Sequence, residues 1–70
     1  MSNKFNNSIS RNLKRIRKEK IYSLEKVSKL ADLSLNTIAK IESGVNTNPT
    51  IDTLQKIASA LEIGVDDLIK

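Results

Sequence analysis

The 70-residue sequence contains no cysteine, no histidine and no tryptophan, and only one proline, two glycines, one tyrosine and one phenylalanine. Without cysteine it has neither disulfide staples nor thiolate metal clusters; without histidine it lacks the commonest metal ligand and general base. A fold this small must be held by packing alone, and 39% apolar residues suffice for one modest core. No apolar run exceeds two residues, as at Leu30-Ala31, against roughly 18 or more for a membrane span. The polar start Met1 to Asn7 lacks the apolar stretch of an export signal. The expectation is a soluble, cytoplasmic, single-domain protein with no membrane partner. Residues 1–7 read as a flexible N-terminal tail, with Lys4 available to phosphates and Phe5 to the body, and residues 8–70 as the folded unit. Catalysis is not expected. There is no Gly-rich phosphate loop, and the adjacent acids Asp66-Asp67 are turned about 100° apart on a helix, which suits them to the positive end of its dipole. No metal, cofactor or small-molecule ligand is implied.

Charge is unevenly spread. Residues 1–20 carry seven Lys/Arg against Glu19 alone, residues 21–50 balance at three against three, and residues 51–70 carry two bases against four acids. A basic N-terminal side beside an acidic C-terminal side points to a polyanion partner, with a merely solvated basic helix as the plainer alternative.

So few breakers predict a mostly helical chain, and strand-type alternation is absent. A first helix starting at Ser8 or Ser10 places Ile9, Leu13 and Ile16 on one face. Ser23 caps a short second helix with the apolar stripe Leu24, Val27, Leu30 and Ala31, closed by Asp32, which tolerates the left-handed conformation. Ser34 then caps a third helix, about Leu35 to Ser43, ending at Gly44. Its inner side holds Ile38 and Ile41, with Leu33 packing from the turn; Asn36, Lys40 and Ser43 cluster opposite. Val45 to Pro49 reads as a loop. Thr50 caps a fourth helix carrying Ile51, Leu54, Ile57, Ala58 and Leu61, and a short fifth, about Val65 to Ile69, follows.

Two short helices joined by a three-residue turn, the second apolar inside and polar outside, form the pattern of a helix-turn-helix over roughly Ser23 to Ser43. The residues carry a resemblance as well. The runs Leu13-Lys14-Arg15-Ile16-Arg17-Lys18-Glu19-Lys20, Ser23-Leu24-Glu25-Lys26-Val27-Ser28, Leu33 to Gly44 (LSLNTIAKIESG) and Asn48 to Ala58 (NPTIDTLQKIA) resemble the Cro/phage-repressor (XRE-like) helix-turn-helix family over about residues 9–69. The resemblance implies an all-α, compact five-helix domain of the lambda repressor-like kind, with a central helix-turn-helix. It further implies a sequence-specific regulator of transcription, a repressor binding a palindromic operator in double-stranded DNA as a homodimer, with the third helix in the major groove. Three positions depart from the family pattern. Ser28 stands where Ala is usual and requires its hydroxyl to bond the backbone four residues earlier. Asp32 replaces the turn glycine, and Gly64 replaces a serine cap, so that the last helix is expected to fray.

On that resemblance, Ser34, Leu35, Asn36 and Lys40 face base edges: Asn36 suits adenine, Lys40 guanine, and Leu35 a thymine methyl. Leu35 equally fits a core-boundary position. Phosphate contacts fall to Ser23 and Lys26 at the second helix's N-terminus, to Thr37 and Ser43 on the third helix, to the Asn46, Thr47 and Asn48 loop, and to Arg11 and Arg17. Arg11, Lys14, Arg15 and Lys18 also supply long-range attraction; they read as wrapping most of the first helix, so that some point away from DNA. The resemblance pairs Arg17 with Glu42 in an ion pair tying the first helix to the end of the third. Leu61, Ile63, Val65, Leu68 and Ile69 exceed what so short a last helix needs and are read as a dimer interface, with completion of the core as the alternative. The competing functional reading is an antitoxin or adaptor that mainly binds a partner protein.

Overall fold

Ile9, Leu13 and Ile16 form the buried stripe of a first helix, α1 (Lys4–Glu19), in the computed structural model, which describes residues 4–70 and side chains from Ser8 onward. The helix begins before Ser8, so neither Ser8 nor Ser10 caps it; no Gly or Pro interrupts residues 4–7. Residues 1–3 of the expected tail, and the side chains of Lys4 and Phe5, lie outside what is described. Four shorter helices follow: α2 (Leu24–Ala31), α3 (Leu35–Ser43), α4 (Ile51–Leu61) and α5 (Val65–Ile69). The described residues are thus all-helical, as the sequence predicts.

Each middle helix starts on a hydroxyl. Ser23, Ser34 and Thr50 accept the N–H of Lys26, Thr37 and Thr53 respectively, satisfying one amide that the helix leaves unpaired. Three helices stop on a left-handed residue that is not glycine: Ile21 (φ 59°), Asp32 (φ 57°) and Glu62 (φ 59°). After each, the next N–H reaches back along the helix, from Tyr22 to Arg17 O (3.0 Å), from Leu33 to Ser28 O (2.9 Å) and from Ile63 to Ala58 O (2.9 Å). This is the Schellman arrangement, and Tyr22, Leu33 and Ile63 are its apolar anchors, all packed against the core. Anchoring offsets the roughly 1–2 kcal/mol that a left-handed L-residue costs.

Ile21 bears that cost with a β-branched side chain that is 90% exposed. Ile21→Gly is therefore expected to stabilise the domain by about 1 kcal/mol, raising Tm by roughly 4–8 °C. A thermal melt showing no rise would mean that the isoleucine side chain contributes a contact which offsets its strain.

All five helices contribute fully buried residues to one core: Leu13, Val27, Ile38, Ile41, Ile57, Leu61 and Leu68. Two residues of the expected stripes stay out of it. Leu30 is 46% exposed, because the buried arc of α2 runs through Val27, Ala31 and Ser28, leaving Leu30 roughly 110° from its centre. Ile51, the first residue of α4, is 65% exposed at the edge of that helix's buried arc. Ser28 is buried and donates its hydroxyl to Glu25 O at 2.8 Å, three residues back rather than the expected four. The packing places α1 against α3 and α5, and α2 against α3 and α4. Asn12 pins α5 by donating its amide to Leu68 O (2.7 Å). Gly64 offers no side-chain cap, but Asp67 accepts the Gly64 N–H at 3.2 Å and Leu68 is fully buried, so α5 is formed and anchored where its cap predicts fraying.

Candidate nucleic-acid interface

The turn between α2 and α3 is fixed at each of its three residues: Asp32 is left-handed, Leu33 packs on the core, and Ser34 caps α3. Ser34 Oγ accepts the Thr37 N–H at 3.1 Å and lies 2.8 Å from Thr37 Oγ1. One hydroxyl donates to the other, leaving a single O–H of the pair for an outside acceptor. Inside, Ile38 and Ile41 are buried; outside, Ser34, Leu35, Asn36 and Lys40 are all exposed, with Thr37 and Ala39 half-buried. Leu35, at 45% exposure and apart from the core cluster, does not occupy a core-boundary position. The rigid inner side thus presents a polar outer side with one apolar residue near its leading end.

The residues expected at phosphates fall at two separate places. At the start of α2, Ser23 and Lys26 are exposed; Ser23 Oγ accepts the Lys26 N–H (3.0 Å) and keeps its own O–H free, while Lys26 Nζ stands 6.0 Å from the Tyr22 ring centre. At the far end of α3, Ser43 donates to Lys40 O (3.2 Å), Gly44 turns left-handed (φ 85°), and the Asn46 N–H returns to Lys40 O (2.9 Å). Asn46 Oδ1 accepts the Asn48 N–H (3.0 Å), so this side chain shapes the loop while Thr47 and Asn48 remain exposed. Arg11 shares a shallow cleft with Ser10, Ser43 and Gly44, joining this second place from α1.

Between α1 and α3 lies a bidentate ion pair. Arg17 Nε donates to Glu42 Oε1 at 2.6 Å and Nη2 to Glu42 Oε2 at 2.9 Å, while Nη1 donates to Tyr22 O at 2.8 Å. The two side chains are only 13% and 10% exposed. The hydrogen bond to Glu42 raises the Arg17 pKa, burial opposes it, and Coulomb attraction adds to it. Such a shift contributes stability that is fully present below the ordinary arginine value and is lost only in strongly alkaline solution, so the guanidinium stays charged throughout the physiological range. With all three guanidinium nitrogens engaged, Arg17 is chiefly a structural group. Sequence reasoning missed Ser10, whose hydroxyl donates to the Glu42 carbonyl from the same flank of α1. Its spacing of seven residues from Arg17 was the available signal.

Two other expectations are corrected. Leu61 and Leu68 are fully buried within this chain and cannot face a partner; Ile63, Val65 and Ile69 remain half-buried. Arg11, Lys14, Arg15 and Lys18 do not wrap most of α1 but share one outward face, all exposed. Among the described residues no group of His, Cys, Asp or Glu is placed to hold a metal, and no helix is long and apolar enough to cross a membrane.

A braced second helix and a capped third helix with an exposed polar face define a helix-turn-helix domain. The helix-turn-helix family pattern matches residues 13–68, and the chain belongs to that family, in its Cro/phage-repressor (XRE-like) branch. Among individual proteins, it is 34% identical over 61 residues to the HTH-type transcriptional regulator SinR of Bacillus subtilis (strain 168), a match covering 87% of this chain and 55% of SinR. It is 35% identical over 60 residues to the HTH-type transcriptional regulator SlrR of the same organism, covering 86% of this chain and 40% of SlrR. The chain thus spans about half the length of the relatives it matches. No solved structure matches it at a significant level.

Proposed function

We propose that the protein is a cytoplasmic, sequence-specific regulator of transcription, a repressor that places α3 in the major groove of a palindromic operator as a homodimer. The observation that carries this reading is the outer face of α3, where Leu35, Asn36 and Lys40 stand exposed on a helix whose inner face is buried and whose two ends are capped. Asn36 can present donor and acceptor together to adenine, Lys40 can donate to guanine, and Leu35 can pack on a thymine methyl. Ser23 and Lys26 on one side, and Arg11, Ser43, Thr47 and Asn48 on the other, hold backbone phosphates and fix the register. Ile63, Val65 and Ile69 supply the apolar part of a twofold contact that sets two α3 helices about 34 Å apart, one DNA turn. That SinR and SlrR are HTH-type transcriptional regulators supports the transcriptional part of this reading.

The test is titration of fluorescent duplex from the gene's own upstream region against a scrambled duplex, at several salt concentrations. The expected result is a preference of about 10³ or more for the upstream duplex, with affinity falling steeply as salt rises. Equal, weak binding to both duplexes overturns the operator reading and favours an antitoxin or adaptor that binds a partner protein.

A further inference from the structure

On the outward face of α1 only Arg11 has a phosphate contact assigned to it, at the cleft beside Ser43; Lys14, Arg15 and Lys18 have none. One flank of the helix is used by Ser10 and Arg17, which bond Glu42 at the end of α3; the opposite flank is used by Asn12, which bonds Leu68 of α5. With Ile9, Leu13 and Ile16 turned inward, only one quadrant is left, and Arg11, Lys14, Arg15 and Lys18 fill it within an arc of about 100°. All four are exposed, and together with Asn12 they line one shallow concavity. The nearest counter-charge is Glu19, held by Arg15 at 3.6 Å in a pair more than half exposed, which leaves it weak. Among the described residues Arg11, Lys14 and Lys18 make no ion pair.

This arrangement repels itself. Arg11 with Lys14 and Arg15, and Lys18 with Lys14 and Arg15, are like charges three or four residues apart, each pair costing a few tenths of a kcal/mol. A polyanion laid along the face relieves that repulsion. The ridge from Arg11 to Lys18 is about 10.5 Å long, which spans about three base-pair rises of 3.4 Å measured along the duplex axis. The character of the face selects the kind of polyanion. It holds no aromatic ring on which an unpaired base could stack, no buried aromatic or aliphatic anchor for a protein partner, and the apolar side of α1 is sealed in the core and unavailable to a membrane. Backbone phosphates of a duplex need only cations.

We propose that the outward face of α1 is a second, sequence-independent binding surface for the phosphodiester backbone of duplex nucleic acid, separate from the reading face of α3. It rests on the DNA-binding reading of α3 only for the identity of the polyanion. The phosphates belong either to the flank of the duplex that α3 reads or to a second duplex held at the same time.

The test compares the triple variant Lys14→Gln/Arg15→Gln/Lys18→Gln with a control that also removes three cations, Lys29→Gln/Lys56→Gln/Lys70→Gln. Two readouts are taken: affinity for a short scrambled duplex across a salt series, and capture of a second fluorescent duplex by protein already bound to an immobilised upstream duplex. If the face lies on the flank of one duplex, the α1 variant binds scrambled duplex roughly tenfold or more weakly at low salt, with a salt slope shallower by up to about three. If it holds a second duplex, capture is lost while affinity for a single duplex stays that of the control. Matching behaviour of variant and control in both readouts overturns the proposal. A thermal melt at or above the parent's Tm confirms that the α1 variant is folded. Absence of preference for the upstream duplex in the parent protein sinks the operator reading instead and leaves this comparison standing.

Discussion

Glu42→Ala is expected to destabilise the domain by about 3 kcal/mol, the scale on which removing one partner of a buried ion pair acts. For a chain of 70 residues that is a large part of a total stability of roughly 4–10 kcal/mol. The cost comes from the group left behind. Arg17, 13% exposed and still bonded to Tyr22 O, would keep its charge with no carboxylate to meet it. The lost pair also frees the end of α3 from α1, so affinity for the upstream duplex falls together with stability. Glu42→Gln keeps the shape and one acceptor and is expected to lose about half as much. Replacing both partners by apolar residues, Arg17→Met with Glu42→Leu, should cost less than either single change, because no charge is then stranded. Urea denaturation reads these differences directly. A Glu42→Ala protein with unchanged midpoint and unchanged duplex affinity would remove the ion pair from any account of how α3 is held.

Asn36→Ala and Lys40→Ala are expected to act on recognition without acting on folding. Each removes a side chain that is exposed and makes no ion pair among the described residues, so Tm should stay within about 4 °C of the parent's, as for surface substitutions of about 0.5 kcal/mol or less. Each good polar pair with a base is worth about 1–3 kcal/mol of discrimination, roughly tenfold to a hundredfold, and the double variant should bind upstream and scrambled duplexes almost equally. Lys26→Ala provides the contrast: a phosphate contact is lost on every sequence, so both duplexes weaken alike and the salt slope drops by about one. A double variant that weakens both duplexes in proportion, with the preference intact, would place the base-reading elsewhere than on α3.

The legible part of the fold was its periodicity and its caps. Ser23, Ser34 and Thr50 cap the helices that their positions ahead of apolar stripes predict, and Gly44 and Asp32 end the helices their backbone tolerance suits. The reading face was legible for the same reason, since the spacing of Ile38 and Ile41 fixes where Asn36 and Lys40 point. The start of α1 was not, because residues 4–7 contain neither a strong cap nor a breaker. Nor were Ile21 and Glu62 as left-handed stops: neither residue type favours that conformation, and the apolar anchors Tyr22 and Ile63 that impose it act through packing. The C-terminal apolar set could not be divided from sequence either. Only the packing of α5 against α1 and α4 decides that Leu61 and Leu68 are buried while Ile63, Val65 and Ile69 remain half-exposed.

The sequence by itself determined that this chain is helical, where the helices start on hydroxyls, and which side of α3 is polar, because hydrogen-bonding capacity and the period of apolar residues are local properties. The tertiary structure decided what non-local contacts alone can decide. It brought Arg17, Ser10 and Glu42 into one part-buried cluster, and it occupied three sides of α1, so that the remaining bases gather into a single outward face.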